Sequence, residues 1–299
     1  MNTSEREQAL EKLPLTDVFV HEGLVRGTLG TLKDIWARRE LLDLLIRREI
    51  KAKYKDSVLG LVWSLVRPIV MLVIYYMVMG RVLGADRGID HFAVYIYCGL
   101  AVWSLFQESV AGGTASIVAN SGIIKKTRLP REILPLTSIG VALFNFFIQL
   151  VILVVFVLAT SGINTSVNFL HFPLAIAIVL VWGTAFALLL SAANVYLRDV
   201  QYLTEVALMI GFYASPIIYP WSLAAGHMNA IVQDIYLANP ITLAIMGTQF
   251  VWWKTEKVDY PWPEHLDHRM LIALAVGFVV LFIASRVFAR LQRDFAQEI

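Results

Sequence analysis

The sequence predicts an all-α membrane protein: six transmembrane helices, an amphipathic helix before them, and both termini in the cytoplasm. Of its 299 residues, 58% are hydrophobic and only 16% are charged, and the mean hydropathy is +0.66. Such a composition is typical of a polytopic membrane protein. A membrane-spanning helix needs about 20 mostly apolar residues, and six stretches come near this length. They are Leu61–Leu83, Ala93–Val118, Ile133–Thr160, Phe172–Tyr196, Leu203–Tyr219 and Met270–Phe288.

The basic residues indicate how these spans are oriented. Nineteen of the 25 Lys and Arg residues fall in four segments, residues 1–60, 119–132, 197–202 and 285–299. Because cytoplasmic loops are enriched in Lys and Arg, this asymmetry places those four segments in the cytoplasm. The first 57 residues show no short apolar core followed by a small-residue cleavage site, so we expect no cleaved signal peptide.

The chain divides into three predicted parts. Residues 1–30 form a cytoplasmic tail, residues 31–57 an amphipathic helix at the membrane surface, and residues 58–299 the six-span domain. In the amphipathic helix, apolar residues recur at helical spacing while Arg47, Lys51 and Lys55 fall on another face. The apolar residues are Ile35, Leu42, Leu45, Ile46 and Ile50.

The end of the amphipathic helix carries five cations within nine residues. One explanation is an interfacial anchor, attracted to anionic lipid by about 1 kcal/mol per basic residue. A compatible explanation is a site for a pyrophosphate headgroup, because Arg offers a planar fork and Lys a mobile point charge to phosphate oxygens. The candidate residues are Arg47, Arg48, Lys51, Lys53, Tyr54 and Lys55.

The loop between the second and third predicted spans mixes cations with apolar residues. A cytoplasmic loop that is merely basic accounts for Lys125, Lys126, Arg128 and Arg131. It leaves three apolar residues without a role. Their presence predicts a short helix that packs into a cleft of another protein. The three residues are Ile123, Ile124 and Leu129.

Several aromatic residues and one acid lie in the predicted spans. The aromatic residues fit interface belts or packed surfaces, or else a path on which flat rings stack against sugars. Glu108 is an intramembrane carboxyl group, which is costly and usually faces a bundle interior. It either has a structural partner such as Arg67, or is protonated and hydrogen-bonded, or serves a channel or gate. The channel candidates are Trp63, Tyr75, Tyr76, Trp103, Phe106, Glu108, Phe144, Phe147 and Tyr213.

Residues 220–268 form a predicted extracytoplasmic insert with four prolines, in which re-entrant or interfacial helices fit best. His265 and His268 flank Asp267 there, but two histidines in a Pro-rich loop are typical of solvated surface, so we expect no metal site. The single cysteine, Cys98, excludes a disulfide within the chain. No GxxxxGK[ST] motif occurs, so no phosphate-binding loop for ATP is present.

Five motifs follow one another in an order that resembles the membrane subunits of type-2 ATP-binding-cassette exporters. They are GLAVWSLFQESV, NSGIIKKTRLPREILP, YLRDV, SPIIYP and the pair Asn239-Pro240. From about Arg38 to the last span, the chain particularly resembles the permeases that export O-antigen, teichoic acid and actinobacterial galactan, and overall similarity favours galactan.

The resemblance implies a homodimer of permeases bound to two copies of a separate ATPase, which would hold ATP and Mg²⁺; the permease itself would need no cofactor. It implies that Ile123–Pro130 is the main coupling helix and that Arg198 and Asp199 form a second ATPase contact. Leu41–Lys55 would be a gate near the place where the lipid pyrophosphate enters. The expected location is the bacterial inner membrane, and no nucleic acid partner is expected.

Three functions remain open from the sequence. The first is export of a polyprenyl-pyrophosphate-linked polysaccharide, which explains the basic helix, the basic-apolar loop and the missing ATP site together. The second is export of a small molecule or lipid, which would not require the cationic helix. The third is an intramembrane glycolipid enzyme centred on Glu108, which would work without an ATPase.

Overall fold

The computed structural model describes residues 36–55, 62–82, 84, 89–126, 129–160, 169–253, 261–292 and 294–298. The predicted tail, residues 1–30, lies outside these ranges. Within them all regular elements are helical, as predicted. The α-helices are α1 (Arg39–Tyr54), α2 (Val62–Tyr75), α3 (Phe92–Ala119), α4 (Ser121–Lys126), α5 (Ile133–Thr160), α6 (His171–Tyr196), α7 (Asp199–Tyr213), α8 (Trp221–Gly226), α9 (Ala230–Leu237), α10 (Pro240–Trp252), α11 (Leu266–Leu291) and α12 (Phe295–Glu298).

Helix α1 is the predicted amphipathic helix, observed here over Arg39–Tyr54. Leu45 is buried, and Ile46 packs so closely against Gly140 of α5 that a β-carbon there would overlap it. Arg47 lies on the exposed face. The helix ends where Lys55 adopts an extended conformation, with φ −64° and ψ 139°. The apolar face therefore attaches α1 to the helical bundle through α5.

The first predicted span, Leu61–Leu83, is a helix that changes type. Helix α2 contains Pro68 and ends at Tyr75, and the π-helix Tyr76–Val82 continues it. A π-helical stretch is rare and widens the helical turn. Positions 61 and 83, the two ends of the predicted span, lie outside the described residues. The sequence predicted the apolar stretch but not its change of helix type.

Helices α3, α5 and α6 form the centre of the fold. Helix α3 packs extensively on both α5 and α6, and most of its residues from Phe92 to Ile117 are buried. Gly113 permits the close approach of α3 to α6, because a β-carbon there would overlap the side chain of Ala187. The hydrophobic core is therefore built around α3, the helix that corresponds to the second predicted span.

The fifth predicted span, Leu203–Tyr219, is wrong in its bounds. Helix α7 begins earlier, at Asp199, and ends at Tyr213. The residues after it turn sharply, and Tyr95 of α3 donates hydrogen bonds to the backbone carbonyls of Pro216 at 3.2 Å and Tyr219 at 3.0 Å. Proline cannot donate the backbone hydrogen bond that a continuing helix needs, so apolarity alone overestimated this span.

The predicted extracytoplasmic insert, residues 220–268, contains the short helices α8, α9 and α10. Helices α9 and α10 meet at an angle of 83°. Asn239 caps α10 by accepting a hydrogen bond from the backbone of Ile241 at 3.0 Å, and Pro240 occupies the first turn, where its missing donor costs nothing. This bent pair is either a broken span or a re-entrant loop. The sequence predicted re-entrant or interfacial helices here, and that stays a prediction.

Three helices among the described residues are long and apolar enough to cross a membrane, namely α5, α6 and α11. A fourth crossing results if the bent pair α9 and α10 is one span. Helix α3 is also 28 residues long, but Gln107 and Glu108 make its centre polar. The six-span count and the cytoplasmic termini stay predictions.

Candidate functional site

A cavity of about 1030 Å³ lies between α1, α2, α3, α5 and α7. At the end nearest α1 it is lined by Arg48, Glu49 and Lys53, together with Asn120 at the end of α3. This end therefore combines two cations with one carboxylate. It is also the end at which α4 follows α3.

The middle of the cavity has small and polar walls. Ala111, Gly112 and Ala115 of α3 leave room between the helices. Asn145 of α5 donates its amide hydrogen to the carboxylate of Glu108, and Gln149 lies one turn further along α5. Gln149 is buried, and its Oε1 has no hydrogen-bond partner among the described residues. The cavity thus offers a carboxylate and an amide oxygen to a polar ligand.

The opposite part of the cavity is aromatic. It is lined by Tyr75 of α2, Trp103 of α3, and Phe212 and Tyr213 of α7. Trp63 also lines the cavity, but it lies at the other end of α2, about three helical turns before Tyr75. The Phe212 ring lies 5.8 Å from Tyr75, 5.9 Å from Trp103 and 5.2 Å from Tyr213, measured between ring centroids. Three helices thus bring their rings together in one group.

Of the predicted channel residues, five line this cavity and four do not. Trp63, Tyr75, Trp103, Glu108 and Tyr213 contribute to its wall. Phe106 is buried against Trp103 and Phe186 in the core, and Arg81 lies over the Tyr76 ring at 5.6 Å. Phe147 is 65% exposed on another face of α5. The four that are not part of the lining are Tyr76, Phe106, Phe144 and Phe147.

The predicted pyrophosphate residues of α1 have different surroundings. Arg48 donates to Glu49 at 2.6 Å and to Asn120 at 3.0 Å. Arg47 pairs with Asp43 at 2.7 Å on the exposed face. Lys51, Lys53 and Lys55 are all exposed, and of these three only Lys53 lines the cavity. The side chain of Tyr54 lies outside what the structure describes. Only Arg48 and Lys53 of this group line the cavity.

The predicted ATPase-coupling residues lie at the end of the fold next to Asn120. Ile124 packs on a buried apolar cluster, while Lys125 is exposed. Leu129 is half-buried, and the Arg131 guanidinium lies 5.6 Å over the Phe295 ring. Ile123 is half-buried, and Arg198 and Asp199 are exposed at the start of α7. The Lys126 side chain and Arg128 lie outside the described part of the structure.

Sequence reasoning missed three residues that the structure brings into the site. Asn145 and Gln149 are polar, four residues apart in an apolar span, and this spacing was a usable signal for one polar helix face. Asn120 gave no comparable signal, because its role depends on the packing of α1 against α3 and α5.

Comparison with known proteins shows which family of sequences this chain resembles. A family model described as ABC-2 type transporter matches residues 40–253. The chain is 29% identical over 272 residues to the O-antigen export system permease protein RfbA of Myxococcus xanthus, a match that covers 90% of this chain and 98% of that protein. A protein of the same name from Klebsiella pneumoniae is 25% identical over 259 residues, 86% of this chain and 94% of its own length.

Proposed function

Because this chain belongs to the ABC-2 type transporter family, and is thus a membrane-embedded transport subunit, we propose that it exports a polyprenyl-pyrophosphate-linked polysaccharide across the bacterial inner membrane. The relatives named as O-antigen export permeases match almost from end to end, which supports a polysaccharide as cargo. O-antigen, teichoic acid and actinobacterial galactan are the cargo classes of the proposal. Membership in a transport family argues against the third hypothesis, the intramembrane enzyme.

The cavity is the observation that carries the proposal. Arg48 and Lys53 line the end beside the basic helix, where an Arg fork and a Lys point charge suit a diphosphate. The polar wall around Glu108 follows, and the aromatic group lies beyond. Flat aromatic rings stack on the faces of sugars. A few polar groups can hydrogen-bond to sugar hydroxyls without holding every sugar unit of the glycan as it moves. This sequence of surfaces suits a lipid-linked glycan.

A homodimer would complete the path. Helices α2 and α7 line the cavity and also carry exposed apolar side chains, among them Met71, Met209 and Ile210. Trp63 and Tyr213, which line the cavity, are 54% and 56% exposed. A second copy placed against these two helices would cover those rings and enclose the cavity on a two-fold axis. We propose this arrangement for the assembled exporter.

The energy source is proposed to be a separate ATPase present in two copies, which would bind ATP and Mg²⁺. Membership in the family implies an ATPase partner, and the chain holds no phosphate-binding loop. The exposed Lys125 on α4 and the exposed pair Arg198 and Asp199 offer a polar surface for it. A contact between the ATPase and α4 would transmit motion to α3, because α4 begins directly after α3 in the chain.

One observation favours a second candidate, export of a smaller lipid or another small molecule. Asp43 and Glu49 pair with Arg47 and Arg48, so the positive charge of α1 is partly neutralised. A weaker cationic surface would suit a cargo with less phosphate.

Reconstitution distinguishes the two candidates. The chain and its ATPase are placed in proteoliposomes with polyprenyl-pyrophosphate-linked glycan from the same cells, loaded into the leaflet that faces the ATPase. The proposal predicts that ATP exposes the glycan to an impermeant glycosidase in the opposite compartment. Protection of the glycan, together with ATP-driven movement of a short fluorescent lipid, would instead favour the second candidate.

A further inference from the structure

The last residues of the chain fold back onto the helical bundle. Helix α11 ends at Leu291, and Gln292 turns the chain, its backbone N–H donating to Phe288 at 2.9 Å. Phe295 of α12 is completely buried, with its ring 5.6 Å from Phe288 and 6.1 Å from Tyr196. Two rings, those of Phe288 and Tyr196, thus pack against the Phe295 side chain.

The described part of this C-terminal segment, residues 292 and 294–298, contacts the end of the predicted ATPase-coupling loop. The Arg131 guanidinium lies 5.6 Å from the centre of the Phe295 ring, an arrangement in which a cation and a ring attract each other. Gln292 donates its amide hydrogen to the Oε1 of Glu132 at 2.9 Å, and Glu132 is buried. The C-terminal segment therefore fixes two consecutive residues of the loop.

The buried apolar cluster that contains Phe288 and Phe295 also supports two other candidate ATPase contacts, helix α4 and the turn before α7. Ile124 of α4 packs on the buried cluster that contains Phe288 and Phe295. Tyr196 donates its hydroxyl hydrogen to the carbonyl of Leu291 at 2.8 Å, and Arg198 follows two residues later. Helix α4, the loop after it and the turn before α7 thus rest on one group of side chains.

The cluster is separable from the packing of the long helices. Helices α6 and α11 contact each other extensively, whereas α12 contacts α6 far less, among others through Phe295 and Tyr196 at the last residue of α6. The loss of the Phe295 ring would therefore leave the α6–α11 contact in place. Its main effect would be on Arg131, Glu132 and α4, which lie next to it.

We propose that the C-terminal segment is a positioning element of the surface that docks the ATPase. It holds Arg131 and α4 in the orientation that the ATPase binds, and Phe295 is its central residue. The inference rests on the proposed function, because it takes α4 and the loop after it as the docking surface. The partner is the ATPase subunit, which would meet exposed Lys125 beside an Arg131 fixed by the ring.

The test measures how much ATPase co-purifies with the chain from membranes that contain both. We expect Phe295→Ala to lower ATPase recovery about fivefold, in line with the loss of one cation–π contact and its packing. Because Phe295 is fully buried, the change should also lower the unfolding midpoint in detergent, so ATPase recovery is divided by the amount of folded, inserted chain. Asp294→Ala is the matched control, because Asp294 is exposed in the same segment. Wild-type recovery with Phe295→Ala would overturn the inference.

A second pair of variants tests positioning when Phe295→Ala does not accumulate. Gln292→Glu places a carboxylate against Glu132 and should lower ATPase recovery. Adding Glu132→Gln to this variant lets the amide at position 132 donate to the carboxylate at position 292, the reverse of the wild-type hydrogen bond. The double variant should therefore regain ATPase recovery. A purely structural role predicts that both changes shift the unfolding midpoint together with recovery. Unaltered recovery with Gln292→Glu, or no restoration by the second change, would overturn the inference.

Lys125→Glu separates this inference from the docking assignment itself. If Lys125→Glu abolishes ATPase recovery while the C-terminal variants retain it, the positioning role is wrong and the docking surface stands. If Lys125→Glu also retains full recovery, the docking surface is wrong and the inference falls with it.

Discussion

The guanidinium of Arg48 donates a hydrogen bond to the side-chain oxygen of Asn120 at 3.0 Å. Arg48 belongs to the basic helix α1, and Asn120 is the residue between α3 and α4. Asn120 is itself fixed, since its amide donates to the carbonyl of Ser116 at 2.9 Å. The proposed lipid-pyrophosphate surface and the proposed ATPase-coupling helix are therefore joined by one side-chain contact. A displacement of α4 would act on α1 directly, a physical connection of the kind that coupling requires.

Replacing Asn120 by Ala removes the acceptor that links Arg48 to the end of α3 and leaves Arg48 paired with Glu49 on its own helix. We expect ATPase binding to persist, because α4 keeps its apolar contact through Ile124. Export per ATP hydrolysed should fall, because motion of α4 no longer reaches α1. The measurement is the ratio of glycan exposed to ATP consumed in proteoliposomes. Asp43→Asn is the control: its pair with Arg47 is exposed and such pairs contribute little. An unchanged ratio in Asn120→Ala would show that the contact is not used.

Reversing the charge of Lys125 tests the docking surface. Lys125 is exposed on α4, so Lys125→Glu should leave insertion and folding intact while it repels an acidic contact on the ATPase. We expect loss of both co-purified ATPase and export. Lys125→Arg keeps the charge and should retain both. Normal export by Lys125→Glu would rule out α4 as the ATPase contact.

The contact between Glu108 and Asn145 links α3 to α5 inside the cavity. A double-mutant cycle with Glu108→Ala and Asn145→Ala should give a coupling energy of about 0.6–1.7 kcal/mol, the range for polar contacts between membrane helices. Detergent unfolding measures it. The control cycle combines Glu108→Ala with Gln233→Ala on α9, where Gln233 bonds the carbonyls of Ala225 and Met228, and should be additive. A coupling energy of zero in the first cycle would mean that the hydrogen bond contributes nothing.

Adding a methyl group at Gly113 should separate α3 from α6. A β-carbon there would overlap the Ala187 side chain and lie 3.0 Å from the Ala187 α-carbon, so the backbones must move. We expect Gly113→Ala to lower the free energy of unfolding by about 1–3 kcal/mol. Gly226→Ala is the matched control, because a β-carbon at Gly226 meets nothing within 4 Å. Equal stability of the two variants would contradict the close helix contact.

Continuous apolar runs predicted the long helices well. The predicted span Ile133–Thr160 coincides with α5, and Phe172–Tyr196 differs from α6 by one residue at its start. These runs contain few polar interruptions, so apolarity and helix extent coincide. In Leu203–Tyr219 they do not, because Pro216 prevents the helix from continuing beyond Tyr213 while Ile217 and Ile218 after it remain apolar and buried. Hydropathy predicts whether residues are buried, but it does not predict whether their backbone is helical.

The site was predictable where a residue type alone carries the signal. Glu108 and Trp103 stood out as a carboxyl group and a large ring in an apolar span, and both line the cavity. Phe106 and Phe147 gave the same kind of signal, but one faces the core and the other an outer face. The Arg48–Asn120 and Arg131–Phe295 contacts join residues distant in the chain. Local periodicity holds no information on such pairs.

Depletion of the chain in its own cells, followed by quantification of polyprenyl-pyrophosphate-linked glycan in the cytoplasmic leaflet, tests the central claim most directly. If the chain exports this cargo, a long lipid-linked polymer accumulates on the cytoplasmic side while the cell-surface polysaccharide declines, and the accumulated polymer identifies the sugar. Re-expression of the wild-type chain should clear it, whereas Lys125→Glu should not. An intact surface polysaccharide with no accumulated lipid-linked glycan would contradict polysaccharide export.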